Sequence, residues 1–483
     1  MPLSAPSPFS FILFGASGHL AQLKLYPALF TLAYKRRLPE RYNIVGFARS
    51  KMDDDSFRKL VAQSIREHVP EANDGVLKEF LTHVYYRQGQ YTAATAFKAL
   101  HRQLQTLESG WKKKCRLVYF SVPPNVFSTI SQNLRKSRIY TGDIPFCCIV
   151  EKPVGSDFKS FERVKAQLLK CFAAEEIYLL DHYLGKEAVR NLYYLRYANP
   201  VLERLLKHTL IHHVEITVAE SVGIEQRAGY FEHTGTFRDM FQSHLMMIMA
   251  LLTMHLHEDT NTLRERRLNA LKQLYLPPTT SMDDVVVQGQ YTQGTVDGKE
   301  VPGYREENGV APKSRTNTFA ALRLLTRMSR WAGVPFYLRS GKRLEKKDTR
   351  ISIRFQELHP VGKGSAPNQL HIILFGEAGM RLELQTKLGG PEPAFRPLVL
   401  SDPLVCVGDC LPEHSFLLLE AIHSRQQWFL SFEEVQTAWR LLDPVQTHLG
   451  KKRTPLYTYA AGSRSPEETD AWLAKDGTSW MYL

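Results

Sequence analysis

The chain has 483 residues, more than one hydrophobic core usually organises, so two domains are expected. With 43% hydrophobic and 23% charged residues it has the balance of an ordinary globular protein. The net charge of +13 favours acidic ligands. No zinc-finger, RNP or KH signature accompanies that charge, so phosphorylated small molecules are better partners than nucleic acid.

The basic clusters Lys35-Arg36-Arg37, Lys112-Lys113-Lys114, Arg264 to Arg267 and Lys451-Lys452-Arg453 are short and scattered, as solvated faces are. No apolar run reaches the roughly 18 residues of a membrane helix. The start, MPLSAPSPFSFILFG, has no basic n-region, and its apolar run is shorter than the roughly 7–15 residues of a signal peptide. The six cysteines include the adjacent Cys147-Cys148 and the isolated Cys406 and Cys410. Neither pattern reads as a zinc site or a disulfide framework, so no metal and a reducing, cytoplasmic setting are expected.

In chain order, SFILFG reads as a buried strand and LAQLKLYPALFTLAYKRR as a helix with an apolar stripe. YNIVGFAR, CRLVYFSV and PFCCIVEKPVG follow as strands, with helical stretches such as DSFRKLVAQSIREHV between them. Such alternation predicts a parallel sheet with helices on both faces, a Rossmann-type dinucleotide-binding domain over residues 1–180. Beyond residue 180 the strands HVEITVAE, DVVVQGQYT, PFYLRSG, RISIRFQE, QLHIILFG and MRLELQTK are mostly separated by turn signals. They predict a large, mostly antiparallel sheet in an α+β domain over 181–483, with helices such as DMFQSHLMMIMALLTM packed on it. GTVDGKEVPGYREENGVAPKSRTN reads as a long loop.

Three places carry chemistry. After the first strand, Gly15-Ala16-Ser17-Gly18-His19-Leu20 suits a tight turn that lets backbone approach a pyrophosphate, with a helix starting near His19. The string is not a full GxGxxG, and a purely structural turn fits it as well. His19 is unusual there, because a helix N-terminus favours negative charge. The second strand ends in Arg49-Ser50, where an NAD enzyme commonly places an acidic residue for the ribose hydroxyls; an arginine suits a 2′-phosphate. Next, YLLDHYLGKEAVRNL gathers Asp181, His182, Tyr183, Lys186 and Glu187. His, Tyr and Lys together supply donors and positive charge for a phosphate dianion, and Gly185 permits an unusual backbone angle or close ligand approach. Last, Asp239 and His244 stand at the polar start of a strongly apolar helix. Five residues turn an ideal helix through about 500°, so these side chains are not expected on one face. His244 is a general-base candidate if a carboxylate orients it, and a structural histidine otherwise.

GASGHLAQLKLYPALF, GFARS, EKPVGSD, DHYLGKE, AGYFEHTGTFRDMFQSHL, VPGYREENGV, WAGVPFYLRSGKRL and AAGSRSPEETDAWLAKDG occur in that order. From about residue 10 to the C-terminal segment, the chain resembles the glucose-6-phosphate dehydrogenase family, with the bacterial form closest. The resemblance implies hydride transfer from C1 of glucose 6-phosphate to NADP+, giving 6-phosphogluconolactone, the first step of the oxidative pentose phosphate pathway. His244 matches the residue that removes the C1 hydroxyl proton and Asp181 the one that orients it. His182, Tyr183 and Lys186 match the phosphate-binding set. Glu220, Asp239 and Lys342 match residues that hold the sugar or its phosphate, and Lys347 stands at a similarly used basic position. Gly15, Gly18 and Leu20 belong to the matching cofactor loop; Ser17, Arg49 and Ser50 match the surroundings of the adenosine 2′-phosphate. Lys24 and Lys152 match lysines between cofactor and substrate, and the family's proline after Lys152 is often cis. Family members are usually homodimers or homotetramers joined through the large sheet.

The chain also departs from that pattern. His19 replaces an aspartate, and Arg327-Met328-Ser329 replaces an acidic-Asn-aromatic run. Ile373 and Phe375 stand where a polar or basic residue and then a glutamine are usual near the sugar. From about residue 390 to 430, CLPEHSFLLLEAIHSRQQWF lacks the usual DAYERLLLDA pattern. These changes motivate two further readings, a relative acting on another sugar 6-phosphate or using NAD, and a catalytically silent regulatory subunit.

Overall fold

The computed structural model describes residues 7–357, 365–375, 378–404 and 406–481. The sequence readings that touch residues 1–6, 358–364, 376–377 (the end of QLHIILFG), Val405 and 482–483 fall there outside the described residues. The chain forms two compact units, one of residues 1–187 with 409–432, the other of 188–408 with 433–483. The first unit thus holds residues 181–187 and a segment from late in the chain, beyond the 1–180 span read from the sequence.

The first unit is built on six parallel strands: β1 (Phe9–Phe14), β2 (Tyr42–Ala48), β3 (Val84–Gln88), β4 (Cys115–Phe120), β5 (Phe146–Val150) and β6 (Ile177–Leu179). Their order across the sheet is 3-2-1-4-5-6, the doubly wound arrangement with its switch point between β1 and β4. β1, β2, β4 and β5 are wholly buried, as parallel strands covered on both faces must be. At the carboxyl end of β1 the Phe14 ring meets those of Phe47, Phe97 and Phe120 at centroid distances of 5.1, 5.7 and 5.9 Å. The helix Asp54–His68 starts where Asp53 accepts the Ser56 N–H at 2.8 Å. Sequence patterning missed β3, which is short and carries little apolar alternation (VYYRQ).

The second unit carries a ten-stranded sheet. Its strands are β7 (Ile211–Ala219), β8 (Leu274–Tyr275), β9 (Val286–Thr292), β12 (Phe319–Thr326), β13 (Phe336–Gly341), β14 (Asp348–Phe355), β15 (Gln369–Phe375), β16 (Gly379–Lys387), β17 (Phe395–Pro403) and β18 (Tyr457–Ala460); β10 (Gly294–Val296) and β11 (Lys299–Val301) form a separate hairpin. The order is 17-16-15-14-7-13-12-9-18, with β8 against β12. Most pairs are antiparallel; β7 with β13 and β9 with β18 are parallel. The β10–β11 hairpin corrects the reading of 294–317 as one long loop. Asp297 and Gly298 at its tip both have positive φ, the geometry that an Asp-Gly pair between strands favours.

Four cysteines, Cys115, Cys147, Cys148 and Cys171, are buried and free. Cys406 and Cys410 are disulfide-bonded, a correction to the reading that they stand alone. No helix among the described residues is long and apolar enough to cross a membrane.

Candidate active site

In the first unit the loop after β1 is held by backbone. Gly15 has φ +84°, its N–H reaches the Phe47 carbonyl at 3.0 Å, and its carbonyl accepts the Gly18 N–H at 2.9 Å. A Cβ added at Gly15 would lie 2.1 Å from the Ser121 carbonyl oxygen, so nothing larger than glycine fits. The Tyr26 hydroxyl donates to the Ala16 carbonyl and fixes the turn from below. Helical residues then run from His19 to Tyr34, with a π-type segment over Ala21–Leu25. His19 is exposed at that start and Leu20 is half-buried.

Ser17 and Ser50 share a hydrogen bond of 2.9 Å between their hydroxyls. The Ser50 carbonyl accepts the Tyr86 hydroxyl at 2.6 Å, a phenol whose burial pushes its pKa up to about 12. Arg49, next to Ser50, is exposed. Two hydroxyls and a guanidinium therefore stand together at the carboxyl end of β2, beside the turn. Donors, an open helix start and a glycine that admits close backbone approach fit a dinucleotide diphosphate.

On the same unit, Asp181 is fully buried and caps the short helix His182–Gly185, its Oδ1 accepting the Tyr183 N–H at 2.9 Å. The Lys186 ammonium lies 3.5 Å from the centroid of the Tyr183 ring, and the His182 and Tyr183 rings meet edge-on at 5.0 Å. His182, Tyr183 and Lys186 thus form one cluster rather than scattered decoration. The reading of Gly185 is corrected. It has no positive φ, and its close neighbour is the Glu413 carbonyl, 2.5 Å from where a Cβ would stand, so helix packing requires the glycine rather than an unusual angle. Lys24 ion-pairs with Glu413 at 3.3 Å, and Lys152 is half-buried before a cis proline, Pro153.

In the second unit Glu220 and Lys342 follow β7 and β13, neighbouring parallel strands, and meet in a 2.6 Å ion pair. The Glu220 N–H donates to the Gly341 carbonyl at 2.9 Å, and the Tyr459 hydroxyl donates to the Lys342 carbonyl at 2.7 Å. Lys342 is buried and its ammonium lies 5.4 Å from the centroid of the Phe231 ring. Asp239 accepts the Tyr230 hydroxyl at 3.1 Å; burial, then Asp239 itself, drives the Tyr230 phenol well above its ordinary pKa. Lys347 is exposed, with its ammonium 3.8 Å from the centroid of the Phe375 ring.

His244 is buried, and the segment that carries it, Phe237–Leu245, is a π-helix. That corrects the expected geometry. With i to i+5 hydrogen bonding, residues five apart follow one another up the helix, so Asp239 and His244 come close to one face instead of diverging. π-Helical turns occur frequently at functional sites.

Sequence reasoning missed Glu413, His414 and Glu151, which surround Lys24 and His182 in the first unit. Glu413 lies 389 residues from Lys24, and no local signal joins them.

Residues 12–191 match the glucose-6-phosphate dehydrogenase NAD binding domain and residues 193–481 the glucose-6-phosphate dehydrogenase C-terminal domain. The chain is similar to the glucose-6-phosphate 1-dehydrogenases of Bacillus subtilis, at 33% identity over 98% of both chains, and of Aggregatibacter actinomycetemcomitans, at 35% over 97% of this chain and 96% of that one. Among solved structures it is similar to a glucose-6-phosphate dehydrogenase in complex with its substrate glucose-6-phosphate, with a TM-score of 0.89 and 28% identity over all of both chains. The Mycobacterium avium glucose-6-phosphate 1-dehydrogenase gives 0.85 and 27% over 99% of each. A doubly wound nucleotide fold, a cation cluster suited to a phosphate and full-length likeness agree: the chain belongs to the glucose-6-phosphate dehydrogenase family, oxidoreductases that use a nicotinamide dinucleotide.

Proposed function

We propose that the chain oxidises glucose 6-phosphate at C1 to the 6-phosphogluconolactone with NADP+ as acceptor. The observation that carries the substrate is the cluster of His182, Tyr183 and Lys186 behind the Asp181 cap, in a chain similar along its whole length to a structure described as holding glucose-6-phosphate. The preference for NADP rests on Arg49 beside the paired Ser17 and Ser50 hydroxyls: a guanidinium there favours a 2′-phosphate, where a carboxylate would repel it.

The cofactor, when bound, supplies the nicotinamide that accepts the hydride. His244 takes the proton of the C1 hydroxyl as that hydride leaves, and Asp181 is the carboxylate assigned to orient it and favour its charged form. His182, Tyr183 and Lys186 hold the phosphate. Lys342, kept in place by Glu220, acts with Asp239 and Lys347 on the sugar and its phosphate. Gly15, Gly18 and Leu20 form the diphosphate turn, and Lys24 and Lys152 stand between cofactor and substrate. The reading divides the work between a cofactor domain over 1–180 and a substrate and dimerisation domain over 181–483. A cytoplasmic homodimer or homotetramer joined through the large sheet belongs to the same proposal. Supporting the oligomer, edge strand β17 is exposed along most of its length and carries Leu398, Val399 and Leu400 at 39–51% exposure.

A second reading, oxidation of a different sugar 6-phosphate, draws on the Lys347 ammonium lying over Phe375. One panel tests both: kcat/KM for glucose, galactose and glucosamine 6-phosphates, each with NADP+ and NAD+. Glucose 6-phosphate with NADP+ is expected to lead by at least about tenfold, and His244→Asn to lose nearly all turnover with the fold retained. A leading galactose or glucosamine 6-phosphate would transfer the assignment to the second reading. An active His244→Asn enzyme would remove the assigned base, and no turnover of any pair would favour a silent subunit.

A further inference from the structure

Helix Glu413–Ile422 of the first unit buries a histidine, His414, that no step above uses. Its Nε2 lies 3.8 Å from Glu151 and its Nδ1 3.7 Å from Glu413, so each ring nitrogen faces a carboxylate at ion-pair distance. Glu151 also accepts the Tyr119 hydroxyl from β4, and Glu413 also holds Lys24, which precedes the helix Tyr26–Tyr34. On the remaining side the His182 ring lies nearly parallel to that of His414, 11° apart in plane and 6.4 Å between centroids. Among the described residues, the titratable groups facing His414 include Glu151, Glu413 and His182, with Tyr119 and Lys24 one contact further out.

Charge counting gives this arrangement a purpose. Glu151 and Glu413 carry two negative charges in a poorly hydrated place. Lys24 pairs with Glu413, and a protonated His414 lies at ion-pair distance from both carboxylates, so it supplies the second positive charge. Without that proton Glu151, Glu413 and Lys24 together keep one negative charge beside His182, which belongs to the set assigned to the substrate phosphate. At reduced dielectric, a negative charge beside His182 opposes a phosphate dianion held there.

We infer that His414 is a positioning residue that works as an imidazolium, neutralising Glu151 and Glu413 so that the His182 cluster presents net positive charge to the phosphate of the substrate. The inference rests on the proposed sugar-phosphate reading. Burial alone would discharge His414, but the two carboxylates outweigh it and raise its pKa above the ordinary 6.5, while His414 helps hold Glu413 far below the usual carboxylate range. The charge is therefore present at neutral pH and is lost as pH rises through the elevated value.

His414→Gln tests this with KM and kcat read separately across pH 6–9. The expected result is a KM for glucose 6-phosphate raised roughly five- to tenfold at pH 7, with kcat changed less than about twofold. The kcat/KM for free glucose, which has no phosphate, stays level. Wild-type KM is expected to rise with pH above 6.5 by a step that the variant lacks. Adding Glu151→Gln to His414→Gln restores the charge balance and returns KM toward wild type, which a packing role would not do. Histidine NMR of the whole chain adds a readout without turnover: the ring signal missing from His414→Gln should titrate above 6.5 in the wild type. A titration at or below 6.5, an unchanged KM, or equal loss on glucose and glucose 6-phosphate would overturn the inference. A wild type that fails to oxidise glucose 6-phosphate would count against the proposed reaction instead. His414 would then be decided by the NMR titration and by calorimetric affinity for glucose 6-phosphate in both proteins.

Discussion

Gly15→Ala separates the two reasons a glycine is needed at the nucleotide turn. Gly15 has φ +84°, and its missing Cβ points at the Ser121 carbonyl carbon and oxygen, 2.9 and 2.1 Å away. Gly142, in an exposed loop of the same unit, has nearly the same φ, +86°, with no atom within 4 Å of its absent Cβ. Alanine at Gly142 therefore costs only the left-handed conformation, roughly 1–2 kcal/mol. Alanine at Gly15 adds an overlap that must be relieved by moving backbone. Ser121 cannot yield alone, because its N–H is bonded to the Phe14 carbonyl at 3.0 Å. Overpacking of this kind costs about 1–3 kcal/mol more. The movement opens the Gly15–Phe47 and Gly18–Gly15 hydrogen bonds that shape the turn, so NADP+ affinity should fall at least about tenfold, equivalent to 1.4 kcal/mol. Chemical denaturation of both variants, with a fluorescence titration of NADP+, measures each term. Equal stability losses and unchanged affinity in the two variants would refute the account.

Two further outcomes follow from the second unit. Lys342→Ala leaves Glu220 without its 2.6 Å partner and removes a buried cation; the KM for glucose 6-phosphate should rise by more than about tenfold, whereas Glu220→Gln should cost less, and steady-state kinetics of the pair checks the order. His371, fully buried in β15 with its Nδ1 2.8 Å from the Ser352 hydroxyl, has its pKa lowered to about 4 by burial, then by Arg350 and Arg381. Between pH 6.5 and 4 the unfolded chain takes up a proton that the folded chain refuses, so stability falls as pH falls; His371→Gln should flatten that acid limb by about 1–3 kcal/mol in denaturation at pH 7 and pH 4.5.

How much of this was readable in advance differs between the units for physical reasons. In the first, buried parallel strands such as FILF and CCIV are continuous apolar runs between turn residues, and helices of ordinary period separate them, so the order of elements is visible. The thin strand β3 escaped, because its five residues carry too little pattern. In the second, the central strand β12, FAALRLLT, escaped although it is largely buried, because its alanines and leucines favour a helix when read alone and pairing with β9 and β13 overrides them. Charge runs were read too uniformly. Arg267, inside the Arg264 to Arg267 cluster, is fully buried and pairs with Glu434 at 2.8 Å, the reverse of a solvated face.

The base candidate shows a different limit. Periodicity arguments assume 3.6 residues per turn, and under that assumption the five-residue step from Asp239 to His244 sends the side chains apart. The chain instead forms a π-helix from Phe237 to Leu245 and continues as an α-helix through Met246–Thr253. The wider turn has a cost, since π geometry is rare, and something must hold it. Its start is anchored from outside the helix: the Asn317 side chain accepts the Phe237 N–H at 3.0 Å, and the Asn317 carbonyl accepts the Thr236 N–H at 2.9 Å. Its end runs into wholly buried residues, Met246 through Thr253, that cannot rotate without losing their packing. Fixed at both ends, the segment takes the winding that the surrounding structure imposes. A composition-based reading of GTFRDMFQSHL contains none of those constraints, because Asn317 lies 80 residues downstream of Phe237. The candidate residues were therefore nameable from their types, while the winding that brings positions 239 and 244 toward one face was a property of the folded unit alone.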